Sequence, residues 1–350
     1  MSTAFLNVRG LTKRFGKTEA LSQLDLEIRA GELFVVLGPT GAGKTTLLRT
    51  IAGLEQPDAG SIEMQGKDLA RLSPSERDVA LVFQNFSLYP DWSVRRNLEF
   101  PLRAPGRAVA EPKIQEAVAR TAAILRIEAL LDRPAHKLSG GEMQRVAIGR
   151  AIVREPRLYL MDEPLTNLDA KLREALRVEL AVLVRSLGVP MLYVTHDQGE
   201  ALSMADRIGV LIDGRLHQVG TPREVYSNPV SELVARQLGQ PAINVFPAQR
   251  RQERFVAHDG TDLCAGGACT ASRAQIGVRP EHLEIVPAAG TEHGSLARID
   301  LVEHSGPHQV IVAHWAGQRV HVLADRKQRA VVGEAMTLRV AEDRAVIWPL

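Results

Sequence analysis

Leu33-Phe34-Val35-Val36-Leu37-Gly38-Pro39-Thr40-Gly41-Ala42-Gly43-Lys44-Thr45-Thr46 is the stretch on which the fold turns. Its first five residues read as a short buried strand, and a helix is expected from Lys44 to Ala52. Between them, Gly38 to Thr45 fits the eight-residue phosphate-loop pattern in full. The glycines let successive backbone N–H groups point into one concavity, and the helix presents its positive end to the same anion. In that frame Lys44 reaches the terminal phosphates of a nucleotide and the Thr45 hydroxyl binds Mg²⁺.

Outward from this loop, further buried-strand candidates are Val79–Phe83, Leu158–Met161 and Met191–Thr195. Helical patterns at Lys113–Arg126, Gly141–Arg154 and Ala170–Ser186 alternate with them. Such alternation argues for a mainly parallel sheet covered on both faces. Asp213-Gly214, between Ile208–Ile212 and Arg215–Val219, is a hairpin signal. Near Gly239-Gln240-Pro241 the long helical patterns stop. Short alternating strands such as Gln309–His314 and Arg319–Leu323 follow. The expectation is an α/β phosphate-loop domain over 1–238 and an all-β domain over 239–350.

Composition narrows the class. The 350 residues suggest about two domains. With 45% apolar and 24% charged residues the chain is ordinary globular protein, and a net charge of +2 is too balanced for a nucleic-acid coat. Residues 241–350 carry 12 basic and 12 acidic side chains and only Phe246, Phe255, Trp315 and Trp348 as aromatics, so no nucleic acid is expected there either. Two cysteines, Cys264 and Cys269, cannot build a disulfide framework and read as free thiols. Seven of ten histidines fall in the second domain and read as surface residues. No apolar run approaches the ~18–20 residues of a membrane span, and Met1 to Phe15 lacks a signal-peptide core. The chain thus reads as soluble and intracellular, meeting a membrane only through a partner.

Leu158-Tyr159-Leu160-Met161-Asp162-Glu163 is an apolar strand ending in two acids. In a phosphate-loop ATPase the first holds Mg²⁺ and the second orients the attacking water. Ser139, 23 residues before Asp162, opens Ser139-Gly140-Gly141-Glu142-Met143-Gln144-Arg145 at a helix start, a second anion cradle. One ATP site has no evident need for two cradles, whereas two copies paired head to tail would use both. Here the chain strongly resembles the ATP-binding subunits of ABC transporters. The resemblance implies a homodimeric ABC ATPase in which Gly38, Pro39, Thr40, Gly41, Ala42, Gly43, Lys44, Thr45 and Thr46 hold ATP. It makes Lys44, Glu163 and His196 the hydrolytic residues and Thr45, Gln84 and Asp162 the Mg²⁺ ligands. Phe15 matches the aromatic that stacks on adenine, and Gln84 the glutamine that also meets the membrane subunit. Asp169, closing Leu165-Thr166-Asn167-Leu168-Asp169, matches the dimer-interface turn. His196 matches the histidine that contacts the γ-phosphate. Glu142 departs from the usual Gln and places an anion near phosphate; Phe15 stands where Tyr or Trp is common.

Gly220-Thr221-Pro222-Arg223-Glu224-Val225-Tyr226, Asn228-Pro229, Phe246-Pro247-Ala248 and Gly277-Val278-Arg279-Pro280-Glu281-His282 resemble importers of the maltose and glycerol-3-phosphate type. That subfamily carries an oligomer-binding-type (OB-like) β-domain which helps dimerise and regulate the ATPase. Asn85–Phe100 resembles the surface that accepts a coupling helix. The resemblance implies two integral membrane permease subunits seated near Gln84, an extracytoplasmic solute-binding protein, and a peripheral position on the cytoplasmic face of the plasma (inner) membrane. It favours a sugar, polyol or glycerol-type solute, with an iron, polyamine or sulfate importer, or a soluble non-transport ABC ATPase, as alternatives.

Overall fold

The computed structural model describes residues 4–104, 109–287 and 294–350. They form two compact units, 1–222 and 223–350. The change of character expected at Gly239 thus falls later in the chain than the division between units, and the short helices Pro222–Ser227 and Glu232–Ala235 adjoin that division.

In chain order the strands of the first unit are β1 (Leu6–Phe15), β2 (Thr18–Ile28), β3 (Leu33–Leu37), β4 (Ala59–Met64), β5 (Lys67–Asp68), β6 (Val79–Val82), β7 (Leu158–Asp162), β8 (Met191–Thr195), β9 (Arg207–Ile212) and β10 (Arg215–Gly220). Its helices are α1 (Lys44–Ala52), α2 (Val94–Glu99), α3 (Glu111–Leu125), α4 (Gly140–Ile152), α5 (Ala170–Leu187) and α6 (Gln198–Met204). One sheet has the order β10-β9-β3-β8-β7-β6 and is parallel from β9 to β6, with the antiparallel β9–β10 hairpin at its end. All five residues of β3, β7 and β8 are buried, as a strand covered on both faces requires. Strand order, not chain order, positions the site. β3, β8, β7 and β6 are neighbours and parallel, so the loops that follow them open along one carboxyl edge.

A second sheet, β2-β1-β4-β5, is antiparallel and was not anticipated. No strand is expected from the sequence over β1 or β2. A single cluster unites both sheets with α1: Leu6, Leu11, Leu24 and Ile28 share it with Val36, Leu47, Ile51, Leu160 and Leu192. The C-terminal end of α1 is satisfied by Arg77. This fully buried guanidinium donates from Nη1 to the Thr50 and Ile51 carbonyls, each at 2.9 Å, and from Nε to Leu72 O at 3.2 Å. A cation against the last carbonyls of a helix meets both their hydrogen-bonding need and the negative end of the helix dipole.

The second unit is all-β apart from short helical turns. One five-stranded sheet contains Asn244–Arg251, Arg254–Ala257, Asp262–Ala265, Arg273–Val278 and Ala345–Pro349. The other contains Leu283–Val286, Ser295–Ser305, His308–Trp315, Gln318–Asp325 and Ala335–Val340. They share one core around Phe246, Phe255, Trp315 and Leu338. Trp315 stands edge-on to Phe246, and its indole N–H donates to Ser295 Oγ at 2.8 Å. Arg279 is buried too. It donates to the Ala235, Leu238 and Tyr226 carbonyls and lies over the Tyr226 ring, tying residues 226–238 to the strand that precedes it.

Candidate functional site

The loop after β3 is shaped by close backbone approach. A Cβ on Gly38 would stand 2.1 Å from the Leu211 carbonyl oxygen. Gly43 has φ +102°, and a Cβ there would lie 2.3 Å from Ala20 O, so only glycine is accommodated at either position. Lys44 opens α1 and turns back over the loop, donating from Nζ to Gly38 O at 2.9 Å and Pro39 O at 3.0 Å. It is buried, yet its ammonium faces the cavity edge where Glu163 stands.

β7 delivers Asp162 and Glu163 to the same edge. Thr45 Oγ1 donates to Asp162 Oδ1 at 3.1 Å. Burial pushes the Asp162 carboxyl above its ordinary range, and the Thr45 hydrogen bond only partly opposes this. The residue after it has φ +44°, a left-handed backbone that costs a β-carbon residue of the order of 1–2 kcal/mol. That residue is Glu163. Its backbone N–H donates to Val194 O at 3.1 Å, which holds the turn against β8. Its carboxylate then bridges two motifs: Oε1 is 3.1 Å from Lys44 Nζ, and Oε2 is 2.8 Å from His196 Nδ1. Thr166 Oγ1 donates to the same Oε2 at 3.3 Å.

A cavity of about 440 Å³ is lined by Thr40, Gly41, Gly43, Lys44, Thr45, Thr46, Gln84, Glu163 and His196, joined by Ala20 and Thr166. Residues from four loops, spread over more than 150 positions, thus face one space. Ala20 and Thr166 carry no motif chemistry of their own and were not singled out from the sequence. Thr166 lay in a stretch matched only as a turn. Gln84 is exposed; its carbonyl accepts from Asn167 Nδ2 at 2.8 Å.

Other expected site residues lie elsewhere. Phe15 ends β1, is 47% exposed, carries Lys13 Nζ 5.1 Å from its ring centroid, and does not line the cavity. Nor do Ser139, Gly140 and Gly141. Ser139 caps α4 in a reciprocal box: its N–H donates to Glu142 Oε2 at 2.7 Å, its hydroxyl donates to the same oxygen at 2.9 Å, and Glu142 N–H donates to Ser139 Oγ at 3.4 Å. These bonds hold the Glu142 carboxyl below the usual carboxylate range. Asp169 likewise caps α5, accepting from Leu172 N at 3.0 Å. Neither the Ser139–Gly141 helix start nor Asp169 lines the cavity of its own chain.

The chemistry available is that of phosphate binding. Backbone donors, a helix N-terminus and an ammonium surround the cavity, with a carboxylate beside the place of a terminal phosphate. Thr45 and the buried Asp162 offer hard oxygens at hydrogen-bond distance from one another, a pair that suits Mg²⁺, which takes one or two protein oxygens together with phosphate and water. Among the described residues no cluster of three His, Cys, Asp or Glu could hold a metal unaided.

Comparison with known proteins agrees with this geometry. Residues 21–166 match the model of the ABC transporter family and residues 276–348 that of the TOBE domain. The chain is 44% identical over 349 residues to the sn-glycerol-3-phosphate import ATP-binding protein UgpC of Cupriavidus necator, covering 95% of this chain and 94% of that protein. It is 44% identical over 308 residues to the protein of the same name from Vibrio cholerae, covering 87% and 82%. Among solved structures, cbiO1 of Clostridium perfringens, part of an ABC transporter complex, aligns with a TM-score of 0.59 and 30% identity over 63% of this chain and 90% of that one. A dimeric post-hydrolysis ATP-binding cassette bound to ADP and Pi aligns with a TM-score of 0.55 and 29% identity, over 62% and 99%.

Proposed function

The chain belongs to the ABC transporter family as an ATP-hydrolysing importer subunit, and from that membership we propose that its solute is a sugar, polyol or glycerol-type compound, sn-glycerol-3-phosphate foremost. The observation that carries this reading is 44% identity, over nearly the whole chain, to a relative named for import of that compound.

In the proposed cycle two copies pair head to tail. Backbone donors of Gly38 to Thr46 and the Lys44 ammonium bind the phosphates of ATP. Lys44 exchanges its bond to Glu163 for one to the incoming anion, which frees the carboxylate to orient water. His196, bonded through Nδ1 to Glu163, positions that base and meets the γ-phosphate. Thr45, Asp162 and Gln84 would hold Mg²⁺, which when bound supplies charge neutralisation on the phosphates. Ser139, Gly140 and Gly141 of the second copy close over the same phosphates, and Asp169 follows at the interface. Because closure is favoured only by the difference in ATP affinity between open and closed dimers, hydrolysis reopens it. Phe15 supplies an exposed ring for the adenine, worth about 1–3 kcal/mol when stacked.

Coupling to transport is assigned to the Gln84 region, against which two permease subunits would sit at the cytoplasmic face of the inner membrane. Among the described residues no helix is long and apolar enough to cross a membrane, which accords with a peripheral subunit. The test is affinity purification of the tagged chain from gently solubilised membranes. Two multi-span proteins with a linked solute-binding protein are expected, and that binding protein should take sn-glycerol-3-phosphate or a sugar in a ligand screen. Capture of ferric iron, a polyamine or sulfate instead overturns the solute assignment. Recovery of soluble partners alone, against a Lys44→Ala and an untagged control, overturns the membrane partners and the peripheral position.

A further inference from the structure

The turn Leu165–Asp169 touches both neighbouring loops of the site. On one side Asn167 donates to the Gln84 carbonyl. On the other the link runs through a residue that no motif includes. Arg173, one turn into α5, donates from Nη2 to Leu168 O at 2.9 Å and, more weakly, to Thr166 O at 3.4 Å. Its Nη1 lies 3.8 Å from Asp197 Oδ2.

Asp197 follows His196 directly and is held on both carboxylate oxygens. Oδ1 caps α6, accepting from Gly199 N at 2.7 Å and Glu200 N at 3.2 Å, while Oδ2 faces Arg173. On the other flank of His196, Thr195 Oγ1 accepts from Asp197 N at 2.9 Å and donates to the buried Glu200 carboxylate at 2.7 Å. Among the described residues the imidazole itself is anchored only through Nδ1, on Glu163. Its position therefore depends on the two residues flanking it, and one of these is steadied from outside its own loop by Arg173. A guanidinium is suited to this: its planar fork reaches two carbonyls and a carboxylate at once, where an ammonium is a point charge.

We propose that Arg173 is a positioning residue that ties the Leu165–Asp169 turn to the His196 loop, so that the placement of the turn sets the contact between His196 and Glu163. The inference rests on the reading of Glu163 and His196 as the hydrolytic pair and names what regulates them. A second copy pressing on the turn would then be felt at His196 through one side chain.

The test reads His196 directly. In the nucleotide-free chain, the imidazole signal in proton–carbon NMR is identified by its loss in His196→Ala. Arg173→Met and Asp197→Asn should each move that signal, and the double variant should move it no further than the larger single change. In turnover, Arg173→Met should lower kcat by about tenfold, the scale of energetic coupling through a network, while the affinity for ATP stays within about twofold. An unmoved signal, kcat effects that multiply in the double variant, or an affinity loss equal to the kcat loss each overturn the proposal. If Arg173→Met does not fold, Arg173→Lys is decisive: it should give a smaller shift of the same signal, and no shift refutes the tie. Failure of the underlying reading looks different. His196→Ala and Glu163→Gln would then hydrolyse ATP normally, while the Arg173-dependent signal would still move.

Discussion

Lys44 Nζ lies 3.1 Å from Glu163 Oε1, so the residue proposed to receive the terminal phosphate is paired with the residue proposed to orient the attacking water. Both are largely buried, at 5% and 14% side-chain exposure, and the pair is therefore screened less than a surface ion pair. The Glu163 carboxylate thus holds the ammonium that is proposed to meet phosphate.

Glu163→Gln removes that internal anion and the base together. The variant should bind ATP at least as tightly as the parent and form an ATP-dependent dimer. Its turnover should fall by about 10²-fold or more, the scale on which a general base and its positioning act. Light scattering with and without ATP, alongside a phosphate-release assay, checks both parts. Near-normal turnover removes Glu163 from the proposed role.

Lys44→Ala takes away the ammonium paired with Glu163 and the side-chain donor to the carbonyls of Gly38 and Pro39, of which Pro39 O keeps the Ala42 N–H. ATP affinity should drop by about 10²-fold, since a charged hydrogen bond in a sheltered site contributes up to about 3 kcal/mol. Titration with a fluorescent nucleotide measures it; unchanged binding would show that the loop is not the phosphate cradle.

Arg77→Met tests the stability of the fold rather than its chemistry. It takes the guanidinium from the Ile51 and Leu72 carbonyls and from Thr50 O, which keeps the Gly53 N–H, at an expected cost of about 3 kcal/mol. Urea unfolding of the intact chain reads this out. A change below about 0.5 kcal/mol would mean that water replaces the guanidinium at the end of α1.

Glu142→Gln separates charge from capping. Glutamine keeps the reciprocal cap on Ser139, so helix α4 should start at the same residue. The Glu142 carboxyl is held below its ordinary range by Ser139, so its contribution to stability is present above the unfolded value and is lost as pH falls through the lowered folded value. The variant should accordingly lose part of the acid-range slope of stability, by less than about 1 kcal/mol for so exposed a group. In a Glu163→Gln background it should also dimerise at lower ATP concentration, because an anion no longer occupies the Ser139 donors that are to meet phosphate. An unaltered ATP requirement would show that the carboxylate swings clear on closure.

Much of this architecture is legible along the chain. β3, β8 and α1 start and stop where the apolar runs, the glycines and Lys44 place them. Buried parallel strands are short apolar runs with turn chemistry at their ends, so period and punctuation agree. The antiparallel sheet was less visible. β1 and β2 alternate, but β1 pairs with β4 across more than forty residues, and nothing local to β1 names that partner. Arg77 and Arg173 were silent for a similar reason: an arginine in a polar stretch looks solvated until the carbonyls it reaches are known.

By itself the sequence determined the phosphate-loop pattern, the acid pair, the Ser139 helix start and the alternation of strand and helix. These are local patterns of backbone freedom, charge and periodicity, complete within a few consecutive residues. Tertiary structure alone decided that β3, β8, β7 and β6 lie side by side, and so that Lys44, His196, Glu163 and Gln84 share one cavity. It decided that Ser139 and Asp169 cap their own helices, leaving each chain with one half of the proposed site. It also decided that Arg173 spans two loops. Such contacts depend on which distant segments bury their apolar faces together, and that is a property of the whole core rather than of any single stretch.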